Sequence, residues 1–105
     1  MSVNPLRNEV KFTVGGVKAF AVLKMDPLVR LSDSLGNPAF GEILRRINVA
    51  EPRALASFIE LMTVDTDVEA IKEQMSVHVS AWQEVQLAAL ELFKPFLAET
   101  SPKKE

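Results

Sequence analysis

His78 is the one histidine of the chain, and Ser76 and Ser80 stand two residues to either side of it. A histidine acting as general base needs a nucleophile in reach and a carboxylate to orient its ring. Residues two apart on a helix do not face each other, so neither serine meets that need. With no cysteine and no second histidine, zinc-thiolate sites, His clusters and thiol catalysis are excluded. His78 therefore reads as a helical histidine, partly buried or solvated.

Asp65, Asp67 and Glu69 alternate in "DTDVE", the opening of a calcium loop. Ala70 and Ser76, however, stand where an EF-hand requires Gly and Glu. The acidic run instead suits the first turn of a helix, where carboxylates oppose the positive end of the dipole. Arg45, Arg46 and Arg53 form the one local basic cluster, beside a turn between two short helices. A helix-turn-helix contacting phosphate is one reading of them, a solvated helix face the other. Gly15-Gly16 raises the question of a phosphate cradle, but no G-x-G-x-x-G or G-K-[ST] surrounds it and no helix follows directly. The sequence thus assigns no catalytic, cofactor-binding or metal-ligating residue, and the chain is not expected to be an enzyme.

What the elements must then do is build a core and a surface. In "KFTVGGVKAF", Val10, Phe12 and Val14 alternate with Lys11 and Thr13, and a second run starts at Val17. Two such runs joined by two glycines predict a hairpin with a type I′ turn. That register sets Val14 opposite Val17, Phe12 opposite Ala19 and Val10 opposite Ala21 on one apolar face. Phe20 and Val22 fall on the other face, with Lys11 able to cover Phe20 with its stem. An isolated two-stranded ribbon is barely stable and leaves both edges unpaired, so this hairpin is expected to find a partner.

Helical spacing follows. Asp26 and Pro27 read as N-cap and first helical position, Leu28, Leu31 and Leu35 as one face, and Gly36 as the C-terminal cap. "AFGEILRRI" and "EPRALASFIELM" repeat the apolar i, i+3, i+4, i+7 template. Thr66 or Asp67 can cap the next helix, with Val68, Ile71 and Met75 inward. The last helical stretch, "SVHVSAWQEVQLAALELF", carries Trp82, Val85, Ala89, Phe93 and Phe96 as one stripe, widened by Leu87, Leu90 and Leu97. Pro95 is expected to kink or end it. Trp82, Phe93 and Phe96 serve either as core or as a partner-binding surface.

The expected fold is α+β: an N-terminal β-hairpin packed on a bundle of about four to five α-helices. One domain is expected, with residues 1–8 a flexible lead-in, 9–25 the hairpin, 26–98 helical and 99–105 a frayed tail. The 105 residues, 48% hydrophobic and 25% charged, suffice for an unaided core. The net charge of −2 and pI of about 5.4 argue against broad nucleic-acid binding. No apolar run approaches the ~20 residues of a membrane span and no signal peptide is evident, so a soluble cytoplasmic protein without a membrane partner is expected.

The order of elements carries a resemblance. "VKFTVGGVKAFAVL" leads into "DPLVRLSDSLGN", then come "FGEILRRI", "PRALASFIELM" and the acidic entry "DTDVEAIKEQM" into the long last helix. Over residues 9 to 97 this resembles the small tail assembly chaperones of long-tailed phages and of gene transfer agents. In that family a strand pair precedes a helix patterned like Leu28, Leu31, Leu35 and Gly36. The resemblance implies a non-enzymatic protein in the bacterial host cytoplasm. It would bind and solubilise the tape measure protein, help recruit tail tube protein subunits, and form a homo-oligomer. Phe20, Val22, Trp82, Phe93 and Phe96 are the residues expected at its partner or client surface. The alternative is a small helix-turn-helix-like nucleic-acid-binding regulator using Arg45, Arg46 and Arg53.

Overall fold

A computed structural model describes residues 2–4 and 9–100, with side chains over 9–94. Along the chain the elements are β1 (Ser2–Asn4), β2 (Glu9–Val14), β3 (Val17–Val22), α1 (Met25–Ser34), α2 (Phe40–Asn48), α3 (Pro52–Met62), β4 (Thr63–Val64), α4 (Val68–Val77) and α5 (Val79–Thr100). The class is α+β, as the sequence predicts.

Gly15 and Gly16 take φ of 57° and 86°, the doubly left-handed conformation that a two-residue I′ turn demands. The hairpin register is the expected one: Val14 pairs with Val17, Phe12 with Ala19 and Val10 with Ala21. Val10, Phe12, Val14, Ala19 and Ala21 are all buried on the face that meets the helices. β2 lies mainly against α5, and α1 against α3.

The hairpin does not stand alone. Its two strands are the centre of a four-stranded antiparallel sheet in the order β1-β2-β3-β4. β1 covers Glu9–Lys11 of β2, although that lead-in was expected to be loose. β4 pairs Val64 with Phe20 and Thr63 with Ala21, inside a stretch expected to be helical throughout. Thr66 Oγ1 continues this cover by accepting from the Phe20 amide at 3.1 Å. Strands this short show no alternation, so their apolar pattern gives no sign of them.

Two helix ends follow their sequence signals closely. After α1, Gly36 at φ 91° allows the Asn37 amide to reach the Ser32 carbonyl at 2.8 Å and its own amide to reach Asp33 at 3.2 Å. This is the Schellman arrangement, and it ends the helix as expected. Asp67 caps α4 by accepting from the Ala70 amide at 3.1 Å.

Two others depart. α1 begins at Met25 with Lys24 at its N-cap, so Asp26 and Pro27 lie inside the first turn instead of at its boundary. Pro27 fits there because the first-turn amides have no intrahelical acceptor. α5 runs through Pro95 to Thr100 rather than ending near Phe93. Pro95 forfeits a single amide bond to Glu91, and the helix continues on either side. Residues 101–105 of the expected tail lie outside the described residues.

Buried residues from all the helices and the central strands join in one core, with Phe58, Phe93, Leu31, Ile43 and Ile47 among its largest members.

Candidate partner-binding surface

The five side chains expected at a partner surface are not gathered on one. Phe93 is fully buried, edge-on to Phe40 at 5.5 Å between ring centroids and to Phe58 at 6.4 Å. It is a core residue, placed by the α5 stripe that packs on α2 and α3. Val22 is also buried, at 6% exposure, which corrects its expected place on an open face of the hairpin. Trp82 is half-buried against the core, and its Nε1 donates to the Met75 carbonyl at 2.6 Å. Phe20 is half-buried beneath Lys11, whose Nζ lies 5.7 Å from the ring centre. The Phe96 side chain lies outside the described residues.

Apolar surface occurs elsewhere. Met25 and Val29 on α1, Val77 and Val79 at the α4–α5 joint, and Leu87 on α5 are exposed. Leu87 among them is 55% exposed. It lines an apolar groove of about 160 Å³ with Phe12, Thr13 and Glu84, between β2 and α5. β1 pairs with β2 only as far as Lys11, so among the described residues no strand lies beside Phe12–Val14 on that side.

The hairpin tip is tied to Glu84, one of the groove's lining residues. The Gly15 amide donates to Glu84 Oε1 at 2.9 Å. On its other side the tip presses on α4, where a Cβ at Gly15 would come within 2.7 Å of Gln74 Cγ. Gly15 therefore does more than help reverse the chain: it lets the backbone lodge between two helices.

Sequence reasoning placed Leu87 among the residues widening the buried stripe. Its position argues otherwise. At about 100° per residue, Leu87 falls roughly half a turn away from the centre of the Val85, Ala88, Ala89, Leu92 stripe. That phase is the signal that identifies it as a surface leucine.

The basic cluster is internally neutralised. Glu42 accepts from Arg45 Nη2 at 2.6 Å and from Arg46 Nε at 3.2 Å. Hydrogen bonds from Arg45 and then Arg46 hold the Glu42 carboxyl down at about 2. Arg46 further donates to the Leu35 carbonyl at 3.1 Å and lies 3.9 Å from Glu51. It thereby closes the C-terminal end of α1 onto α2. Arg46 and Arg53 share a polar cavity of about 580 Å³ with Asp33 and Glu51, in which the formal charges cancel. The helix after the turn, α3, buries Ala54, Leu55, Ser57, Phe58, Ile59 and Met62, and its solvent side carries Glu60 beside Arg53, so that face is not uniformly basic.

Among the described residues no three His, Cys, Asp or Glu side chains converge as a metal site, and no helix is long and apolar enough to cross a membrane. The chain matches no protein-family profile, no curated protein and no solved structure.

Proposed function

We propose that this chain is a non-enzymatic tail assembly chaperone acting in the bacterial host cytoplasm, which binds and solubilises the tape measure protein and helps recruit tail tube subunits. The observation that carries this reading is the apolar groove at Phe12 and Leu87. A tape measure protein is a long helical chain whose apolar stripes need cover during assembly. A groove floored by one aromatic ring and flanked by an exposed leucine accepts a single apolar side chain of such a helix. One shallow contact of this kind is weak, and many copies along one client provide strength while leaving each copy easy to release. The element order from the hairpin through Gly36 to the long last helix adds support through the family resemblance.

The nucleic-acid reading has less support, since Glu42 and Glu51 occupy two of its three arginines. Co-expression with a tail tape measure protein separates the two. The chaperone reading expects the tape measure to move from the insoluble to the soluble fraction and to co-purify with this chain. Affinity for duplex DNA that falls steeply with salt, with no effect on tape measure solubility, contradicts it.

A further inference from the structure

α4 and α5 are joined by one residue. His78, at φ −132° and ψ 123°, is the single non-helical position between Val68 and Lys94. Neither glycine nor proline occurs in that stretch, so no helix-breaking residue makes the break. The apolar phase also ignores it. At about 100° per residue, buried Ile71, Met75, Ala81, Val85, Ala89 and Phe93 keep to one arc of about 120° when counted straight through His78. The two helices therefore share the apolar phase of one amphipathic helix, although the folded chain divides them at His78.

Side-chain and hairpin contacts stand at the bend. Trp82 Nε1 takes the Met75 carbonyl at 2.6 Å, which in a continuous helix would accept from the Val79 amide. The hairpin tip is lodged between the two arms, bonded to Glu84 on α5 and pressed on Gln74 on α4. Val77 and Val79, on either side of the joint, are 65% and 78% exposed.

We propose that the α4–α5 joint is a hinge through which two copies of this chain exchange α5. Straightened, the helix from Val68 to Thr100 would be about 50 Å long. With α4 still packed on α3 and β2, a straightened α5 projects away from its own sheet and exposes its stripe. A second opened copy supplies the matching surface. Each α5 then packs on the partner's β2, and each Phe93 meets the partner's Phe40 and Phe58. All contacts of the closed chain are remade across the dimer, and only the joint differs. This inference is independent of the client and of the proposed function.

The test compares His78→Ala with His78→Gly in the full chain, refolded at millimolar concentration and weighed by light scattering. Alanine favours a helical joint and glycine disfavours it. With two joints in each dimer, the alanine variant dimerises roughly thirty-fold more tightly. Trp82→Phe keeps the apolar bulk but frees the Met75 carbonyl, and it shifts the balance toward dimer as well. Dimers formed by exchange persist for hours after cold dilution, because separation requires unfolding, and they return to monomer when refolded dilute. Three results overturn the proposal: monomers throughout, equal dimerisation of the alanine and glycine variants, or dimers that dissociate within seconds of dilution.

Discussion

The Gly15 amide and the Glu84 carboxylate meet at 2.9 Å, although 69 positions separate them in the chain. This bond ties the tip of the hairpin to the longest helix beside the apolar groove. Gly15 and Gly16 share the left-handed conformation but not the surroundings: a Cβ at Gly15 would strike Gln74, and one at Gly16 would meet nothing within 4 Å. Gly15→Ala is expected to lower the melting temperature well beyond Gly16→Ala, which incurs only the conformational cost of about 1–2 kcal/mol. Adding Gln74→Ala should recover part of the Gly15→Ala loss and none of the Gly16→Ala loss, measured by thermal denaturation.

Arg45 and Arg46 adjoin in sequence but differ in role. Arg46 bonds the Leu35 carbonyl and two carboxylates, whereas Arg45 is an exposed partner of Glu42 alone. Arg46→Ala leaves that carbonyl unpaired and is expected to destabilise the chain by about 1–2 kcal/mol in a urea titration. Arg45→Ala should leave the midpoint nearly unchanged.

Glu42 sets an acid-side dependence. Its folded carboxyl ionises at about 2, below the ordinary 4.5, because both arginines bond to the charged form. A depressed carboxyl contributes stability that is full above about pH 4.5 and is lost as pH falls from there toward 2. Glu42→Gln should therefore melt below the parent chain at pH 7, with the gap closing by pH 2. The site is open to solvent, so the gap should also shrink in high salt. A gap that stays constant across this pH range contradicts the assignment.

Phe93 separates core from surface. Its ring is fully buried against Phe40 and Phe58. Phe93→Ala is expected to cost about 3–5 kcal/mol, by the cavity it leaves, and to broaden or abolish the thermal transition.

Much of this architecture is legible in the residues. Gly15-Gly16 fixes a turn type, and the turn fixes the register of every hairpin pair down to Glu9 and Val22. Leu31, Leu35, Ile43, Ile47, Leu55, Phe58, Ile59 and Met62 are buried where helical spacing puts them. Other features depend on contacts that no local pattern records. Ser2–Asn4 and Thr63–Val64 become strands because β2 and β3 offer them edges. The sequence separates the two last helices but does not show the contacts at their joint, where Trp82 takes the Met75 carbonyl and the hairpin tip lodges between the arms. Phe93 is expected at a partner surface and lies in the core for a related reason. Aromatic side chains signal burial and binding alike, and Phe93 is used for burial here, while the exposed leucine is told apart only by its angular position on α5.

The most direct test of the proposed function is Leu87→Asp in a chain co-expressed with a tail tape measure protein. Leu87 is exposed, so the variant should keep the parent's melting temperature and helical spectrum. The charge set into the groove should abolish co-purification and return the tape measure to the insoluble fraction. A folded Leu87→Asp chain that still holds the tape measure in solution at the parent's stoichiometry would contradict the account.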